Sequence, residues 1–101
     1  MDYKAHLERL IGIVVAEGAS DLHLTVGREP SIRVSRELVP LLKEPPLTAE
    51  DTVGLASTLM SEERQKLFWQ SKDVDFAYSS AAGERFRGNA FFQKGLTGVA
   101  L

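Results

Sequence analysis

The chain has 101 residues, of which 44% are hydrophobic, so it has the size of one ordinary domain with a single core. Its formal net charge of -2 gives no overall positive field that would hold a nucleic acid, so nucleic-acid partners are not expected. The absence of cysteine excludes disulfides, thiolate metal sites and cysteine nucleophiles, and it fits a reducing cytoplasm.

The amino-terminal segment has the pattern of an amphipathic helix. Asp2 suits the N-cap, and Gly18 suits the left-handed residue that ends a helix, so we predict a helix over about residues 3–17. Its apolar positions, at three- and four-residue spacing, are Leu7, Leu10, Ile11, Val14 and Val15. The apolar run within this helix is too short to span a bilayer, so we expect no membrane insertion.

The period of the pattern then changes to two, which is typical of half-buried strands. Three short strands are predicted, from Asp21 to Val26, from Ser31 to Ser35 and from Leu38 to Leu41. Pro40 has no N–H to donate to a ladder, so it favours an edge position for the third strand.

A pair of helices is predicted after these strands. Thr48 and Ser61 suit the N-caps of the two helices, and the second helix runs through Phe68 and Trp69. Large aromatic residues on helices are usually buried, so both aromatic side chains are predicted to belong to the core.

The last part of the chain has the pattern of a hairpin followed by one more strand. Val74, Phe76 and Tyr78 alternate with polar or small residues, and a turn precedes a second alternating run. A final apolar stretch begins at Leu96 and reaches Leu101 without a turn, so we expect the chain to stop within an element. Short connections favour antiparallel pairing, and the fold class is therefore predicted to be α+β.

The run from Gly83 to Phe92 places large polar groups on one side of a strand. Burial explains the aromatic residues, whereas Arg85, Arg87 and Asn89 fall on the opposite side. If the hairpin turn is centred near Ala81, Asp75 lies across from Arg87 and Asp73 lies across from Asn89.

Two interpretations of these arginines remain open from the residues alone. A solvated strand face with a cross-strand ion pair would contribute roughly 0–1 kcal/mol. Alternatively, Arg85 and Arg87 form a fork suited to phosphate oxygens, which Arg33 joins if the sheet aligns it.

Patterns typical of catalytic or metal-binding sites are weak in this sequence. Asp21 and His23 share a strand face, but no further ligands or nucleophile lie near them in sequence, so a structural role is favoured and no metal site is predicted. No GxxxxGK[ST], GxGxxG or GxSxG segment is present. We therefore expect no autonomous catalysis.

Five segments, in order, are similar to one family. They are residues 19–24 (ASDLHL), 27–34 (GREPSIRV), 46–51 (PLTAED), 73–76 (DVDF) and 85–91 (RFRGNAF). The chain resembles the amino-terminal domain of type IV pilus retraction ATPases, the twitching-motility members of the type II/IV secretion ATPases. The resemblance covers nearly the whole chain.

The resemblance implies that residues 1–101 are a single PAS-like domain that precedes a RecA-like core in a longer, cytoplasmic, homohexameric ATPase. It implies ATP and Mg in that parent, with no cofactor in the fragment. The implied partners are the core, neighbouring subunits and, indirectly, pilus base proteins at the inner membrane. It also implies that Arg87, then Arg85, then Arg33 contact the phosphates held mainly by the core.

Two departures from the family pattern affect local geometry. Gly88 stands where the family usually has valine, so we expect weaker packing and more flexibility beside Arg87. Ser35, Arg36 and Glu37 replace the usual histidine- or aspartate-glycine turn, which leaves the geometry of that turn open.

Two rival functions are kept. One is a PAS-like interaction module that assembles through the sheet edge and the strand from Leu96 to Leu101. The other is a small-molecule sensor, which would need a cavity among the aromatic residues Phe68, Trp69, Phe76 and Phe86.

Overall fold

The computed structural model describes residues 2–101, which form three helices and six strands in the predicted order. The helices are α1 (Tyr3–Ala16), α2 (Ala49–Leu59) and α3 (Glu62–Ser71). The strands are β1 (Asp21–Leu24), β2 (Ser31–Val34), β3 (Glu37–Pro40), β4 (Asp73–Ser79), β5 (Arg85–Gln93) and β6 (Leu96–Ala100). All strand pairs are antiparallel, which confirms the α+β class.

The helix ends lie where the capping residues predict them. The Asp2 carboxylate accepts a hydrogen bond from the Ala5 N–H at 3.1 Å, and Gly18 after α1 has a φ of +63°. Thr48 and Asp51 form a reciprocal capping box at α2, and Ser61 caps α3. Local chemistry therefore determines these boundaries.

The sheet has the strand order β3-β2-β1-β6-β5-β4. The strand that begins at Leu96 thus lies at the centre of the sheet, between β1 and β5, so the prediction that it offers a surface for assembly is wrong. The edge position predicted for the strand with Pro40 is confirmed.

The helices pack on one face of the sheet and form the core with it. Phe68 is buried and stacks on Phe92 with ring centroids 4.9 Å apart. The Phe92 ring therefore fills the space beside Phe68 in which a small-molecule sensor would need a cavity. The core prediction is wrong for Trp69 and Val15, which are 45% and 50% exposed. Each follows a buried residue on its helix, and a rotation of about 100° per residue turns it toward solvent.

The turn between β2 and β3 has an uncommon residue pair. Val34 pairs with Glu37, and the two residues between them, Ser35 and Arg36, have φ values of 50° and 72°. A two-residue hairpin loop with positive φ at both positions is a type I′ turn, for which Asn-Gly is preferred. The hairpin therefore forms with residues that find this backbone conformation unfavourable.

We predict that Arg36→Gly raises the free energy of unfolding by roughly 0.5–1 kcal/mol, because glycine removes the penalty of the left-handed conformation. Urea denaturation of the 101-residue chain measures the change. Lys43→Gly, in a loop without positive φ at that residue, is the control and should lower stability. Equal effects of the two substitutions would contradict the prediction.

Candidate functional site: the open face of the sheet

The face of the sheet opposite the helices carries the arginines identified from the sequence. Arg85 and Arg87 are exposed on β5, and Asn89 follows them on the same face. Phe86 and Phe92 pack against the core on the other face, as the alternation predicts. The arginine strand thus has one apolar and one polar face.

The register of the β4–β5 hairpin differs from the predicted one by two residues. Asn89, not Arg87, lies across from Asp75, while Arg87 lies across from Ala77 and Arg85 across from Ser79. The turn is centred on Ala82 because Ser80 N–H donates to the Glu84 carbonyl oxygen at 2.8 Å. Moving the centre of a hairpin by one residue changes the pairing by two.

Asn89 binds the carboxylates of both Asp73 and Asp75. The sequence had predicted that Asp75 would lie across from Arg87 and that only Asp73 would lie across from Asn89. Its Nδ2 atom donates to Asp73 Oδ1 at 2.8 Å and to Asp75 Oδ1 at 3.0 Å. Within residues 2–101, neither Arg85 nor Arg87 forms an ion pair. The structure therefore keeps two guanidinium groups available on this face.

Arg33 is aligned with Arg87, but its guanidinium is already hydrogen-bonded within the domain. Strand pairing places Arg33, Asp21 and Arg87 in one row across the sheet, with Arg33 and Arg87 three strand spacings, or about 14 Å, apart. Arg33 Nε donates to Asp21 Oδ2 at 3.0 Å, and its Nη1 donates to the Arg36 carbonyl oxygen.

Asp21 is the centre of a local hydrogen-bond network. It accepts from Ser20 Oγ at 2.5 Å, from His23 Nε2 at 2.8 Å and from Arg33. These bonds, the one from Ser20 first, lower the pKa of Asp21 from 3.8 to about 2. His23 thus has the local role predicted for it, and no group of three potential metal ligands lies together in the described part of the chain.

A groove of about 680 Å³ lies between Asp21 of β1 and Arg87 of β5, at the point where β6, the strand between them, ends at Ala100. Its lining includes Arg64 of α3, which the sequence did not single out, whereas Arg85 lies outside it. No pattern around Arg64 distinguishes it from other helix-surface cations, so only the packing of α3 beside β4 reveals its position.

Gly88 is tightly packed, which corrects the expectation of a loose strand beside Arg87. A Cβ atom at this position would lie 2.6 Å from Phe76 Cζ and 2.9 Å from both the Ala100 carbonyl oxygen and Leu101 Cδ2. The larger side chains of neighbouring strands therefore occupy the space that a valine would need.

These features define an α+β domain that covers one sheet face with helices and presents exposed arginines on the other. The chain is homologous to the N-terminal region of the type IV pilus ATPases PilU and PilT. It is 35% identical over 94 residues to PilU of Pseudomonas aeruginosa, covering 93% of this chain and 24% of PilU. It is 34% identical over 87 residues to PilT of the same organism, covering 86% of this chain and 25% of PilT.

Solved structures agree with this relationship. The pilus retraction motor PilT with bound ADP superposes with a TM-score of 0.85 at 36% identity, over 92% of this chain and 27% of that one. The ATPase DotB of Legionella pneumophila, at 18% identity and a TM-score of 0.79, shares the fold; 97% of this chain and 28% of that one are covered. No family model matches.

The chain spans about a quarter of the length of the curated relatives it matches. None of the helices within residues 2–101 combines the length and the apolar character needed to cross a membrane.

We predict that Asp21→Asn flattens the acid side of the stability curve. Because folding depresses the pKa of Asp21, its charged form stabilises the native state above pH 3.8, and this contribution is lost as the pH falls toward about 2. Urea midpoints across this interval should fall more steeply for the parent chain than for the variant. A parallel decline in both proteins would contradict the prediction.

We predict that Gly88→Ala lowers the free energy of unfolding by about 1–3 kcal/mol, because the new methyl group overpacks the contact with Phe76. Gly12→Ala is the matched control, because a methyl group added there in α1 would meet no atom within 4 Å outside its own helix backbone. It should raise stability by about 0.5–1 kcal/mol through helix propensity. Chemical denaturation distinguishes the two, and a stabilising Gly88→Ala would refute the packing argument.

Proposed function

We propose that residues 1–101 form the single amino-terminal, nucleotide-sensing domain of a longer ATPase that powers pilus retraction. The relationship to PilT and PilU supports this role, as does a strand that carries two exposed arginines. The fragment lacks a GxxxxGK[ST] loop, so ATP hydrolysis is assigned to the longer protein and not to these residues.

The observation that carries the proposal is the availability of Arg87. Arg87 is exposed, and Asn89 binds the two nearby carboxylates, those of Asp73 and Asp75. The Arg87 guanidinium is therefore free to bind an external anion. Coupling hydrolysis to movement requires contacts that differ between triphosphate and diphosphate states. An arginine on a domain that closes over a nucleotide-bearing core provides such a contact.

The candidate residues differ in how readily they reach phosphate. Arg87 is first and Arg85 second, because both are exposed without an ion pair inside residues 2–101. Arg33 is third, because it would have to leave the Asp21 carboxylate or reach phosphate with its remaining N–H groups.

In the proposed parent, a RecA-like core binds ATP and Mg, and six subunits form a homohexameric ring. The open sheet face meets its own core or that of a neighbouring subunit. The ring works in the cytoplasm at the inner face of the membrane, beside the pilus base proteins.

We predict that Arg87→Ala in the longer protein lowers ATPase activity by roughly 10- to 100-fold, as expected for loss of a charge that stabilises the transition state. In the 101-residue chain the same change should alter stability by less than about 0.5 kcal/mol, because the side chain is exposed. Arg28→Ala, which removes another exposed arginine from a loop, is the control. Normal activity of Arg87→Ala, or a large loss of fragment stability, would contradict the phosphate role.

A simpler test precedes the kinetics. The reading frame that encodes the chain should continue beyond residue 101 into a segment with a GxxxxGK[ST] loop. A stop codon directly after residue 101 would overturn the ATPase assignment. The search would then turn to a partner protein that binds the open face of the sheet around Arg85 and Arg87.

A further inference from the structure

His6 of α1 has a largely buried imidazole, and its two buried ring nitrogens form no hydrogen bond within residues 2–101. Its side chain is 10% exposed, and neither Nδ1 nor Nε2 has a partner among the described residues. Burying an unpaired polar group costs free energy, so its position calls for an explanation. The nearest carboxylate is that of Glu44, whose Oε1 atom lies 3.7 Å from His6 Nε2.

Glu44 lies in the segment of residues 41–47 that connects β3 to α2, here called the β3–α2 segment. Its ends are held by backbone hydrogen bonds: Leu41 N–H donates to the Pro30 carbonyl oxygen, and Leu47 N–H donates to that of Arg28, both at 2.9 Å. Between these points, Leu42 is 80% exposed. The Glu44 side chain, which Arg9 of α1 binds, ties the middle of the segment to α1.

Arg9 already holds Glu44 from the solvent side. Its guanidinium binds both carboxylate oxygens, with Nη2 at 2.9 Å from Oε1, and this contact lowers the pKa of Glu44. Glu44 thus stays ionised near neutral pH and can accept a further hydrogen bond from a protonated His6.

The other charged or titratable groups beside His6 are already engaged. From α1, Tyr3 donates its hydroxyl to Asp51 Oδ1 at 3.0 Å, and Asp2 caps the helix. From α2, the second oxygen of Asp51 accepts the Thr48 N–H at 3.0 Å. Glu44 has the carboxylate within reach of the His6 ring.

We propose that His6 and Glu44 form a proton-controlled latch that holds the β3–α2 segment against α1. When His6 binds a proton, its Nε2–H donates to Glu44, whose carboxylate balances the imidazolium. When His6 is neutral, Arg9 alone holds Glu44, and the segment that presents Leu42 is held less firmly. This inference does not depend on the proposed nucleotide role.

The test is a set of ¹H–¹⁵N spectra and heteronuclear NOE values of the 101-residue chain between about pH 5 and pH 8, the range in which histidine changes charge. The amides of Leu42, Lys43 and Glu44 should shift in step with the ring protons of His6. Their NOE values should fall as His6 loses its proton.

Three variants separate the latch from a general effect of pH. His6→Gln should abolish the coupled response of the segment, whereas His23→Gln, which removes the second histidine of the chain, should leave it intact. Glu44→Gln should abolish the response while His6 still titrates, and it provides the answer if His6→Gln does not fold. Segment amides that ignore pH, or a response that survives either His6→Gln or Glu44→Gln, would overturn the proposal.

Discussion

The pairing of β6 with β1 is the constraint on which the rest of the domain depends. Leu22 and Leu101, far apart in sequence, exchange two backbone hydrogen bonds of 2.8 Å each. This contact joins the sheet half made by β1, β2 and β3 to the half made by β4 and β5. The loop-closure cost is offset by burial of Leu22 and Val99 beneath the helices. Only the joined sheet aligns Asp21 with Arg87.

Carboxylates are distributed over the molecule so that some cations are paired and others are not. Asp21 holds Arg33, and Glu44 holds Arg9; both carboxyl groups have a lowered pKa and remain charged near neutral pH. Asn89 meanwhile binds the carboxylates beside the arginine strand. The exposed charge of Arg87 therefore results from how its neighbours are satisfied, which is a stronger basis for anion binding than exposure alone.

The two proposals concern different surfaces. The arginine strand lies on the open face of the sheet, where the proposed core domain and its nucleotide would approach. His6 and Glu44 lie on the helix-covered side, where α1 meets the β3–α2 segment. In both proposals a side chain would change its charge partner, by gaining phosphate in one case and a proton in the other.

Features that depend on near neighbours along the chain could be predicted from the residues alone. Helix caps, the alternation that turns Arg87 outward and the edge position marked by Pro40 follow from backbone geometry within a few residues. The hairpin register, the central place of β6, the tight packing at Gly88 and the burial of His6 emerge only in the folded molecule. They depend on which distant side chains compete for the same space and hydrogen bonds, and a local pattern does not contain that competition.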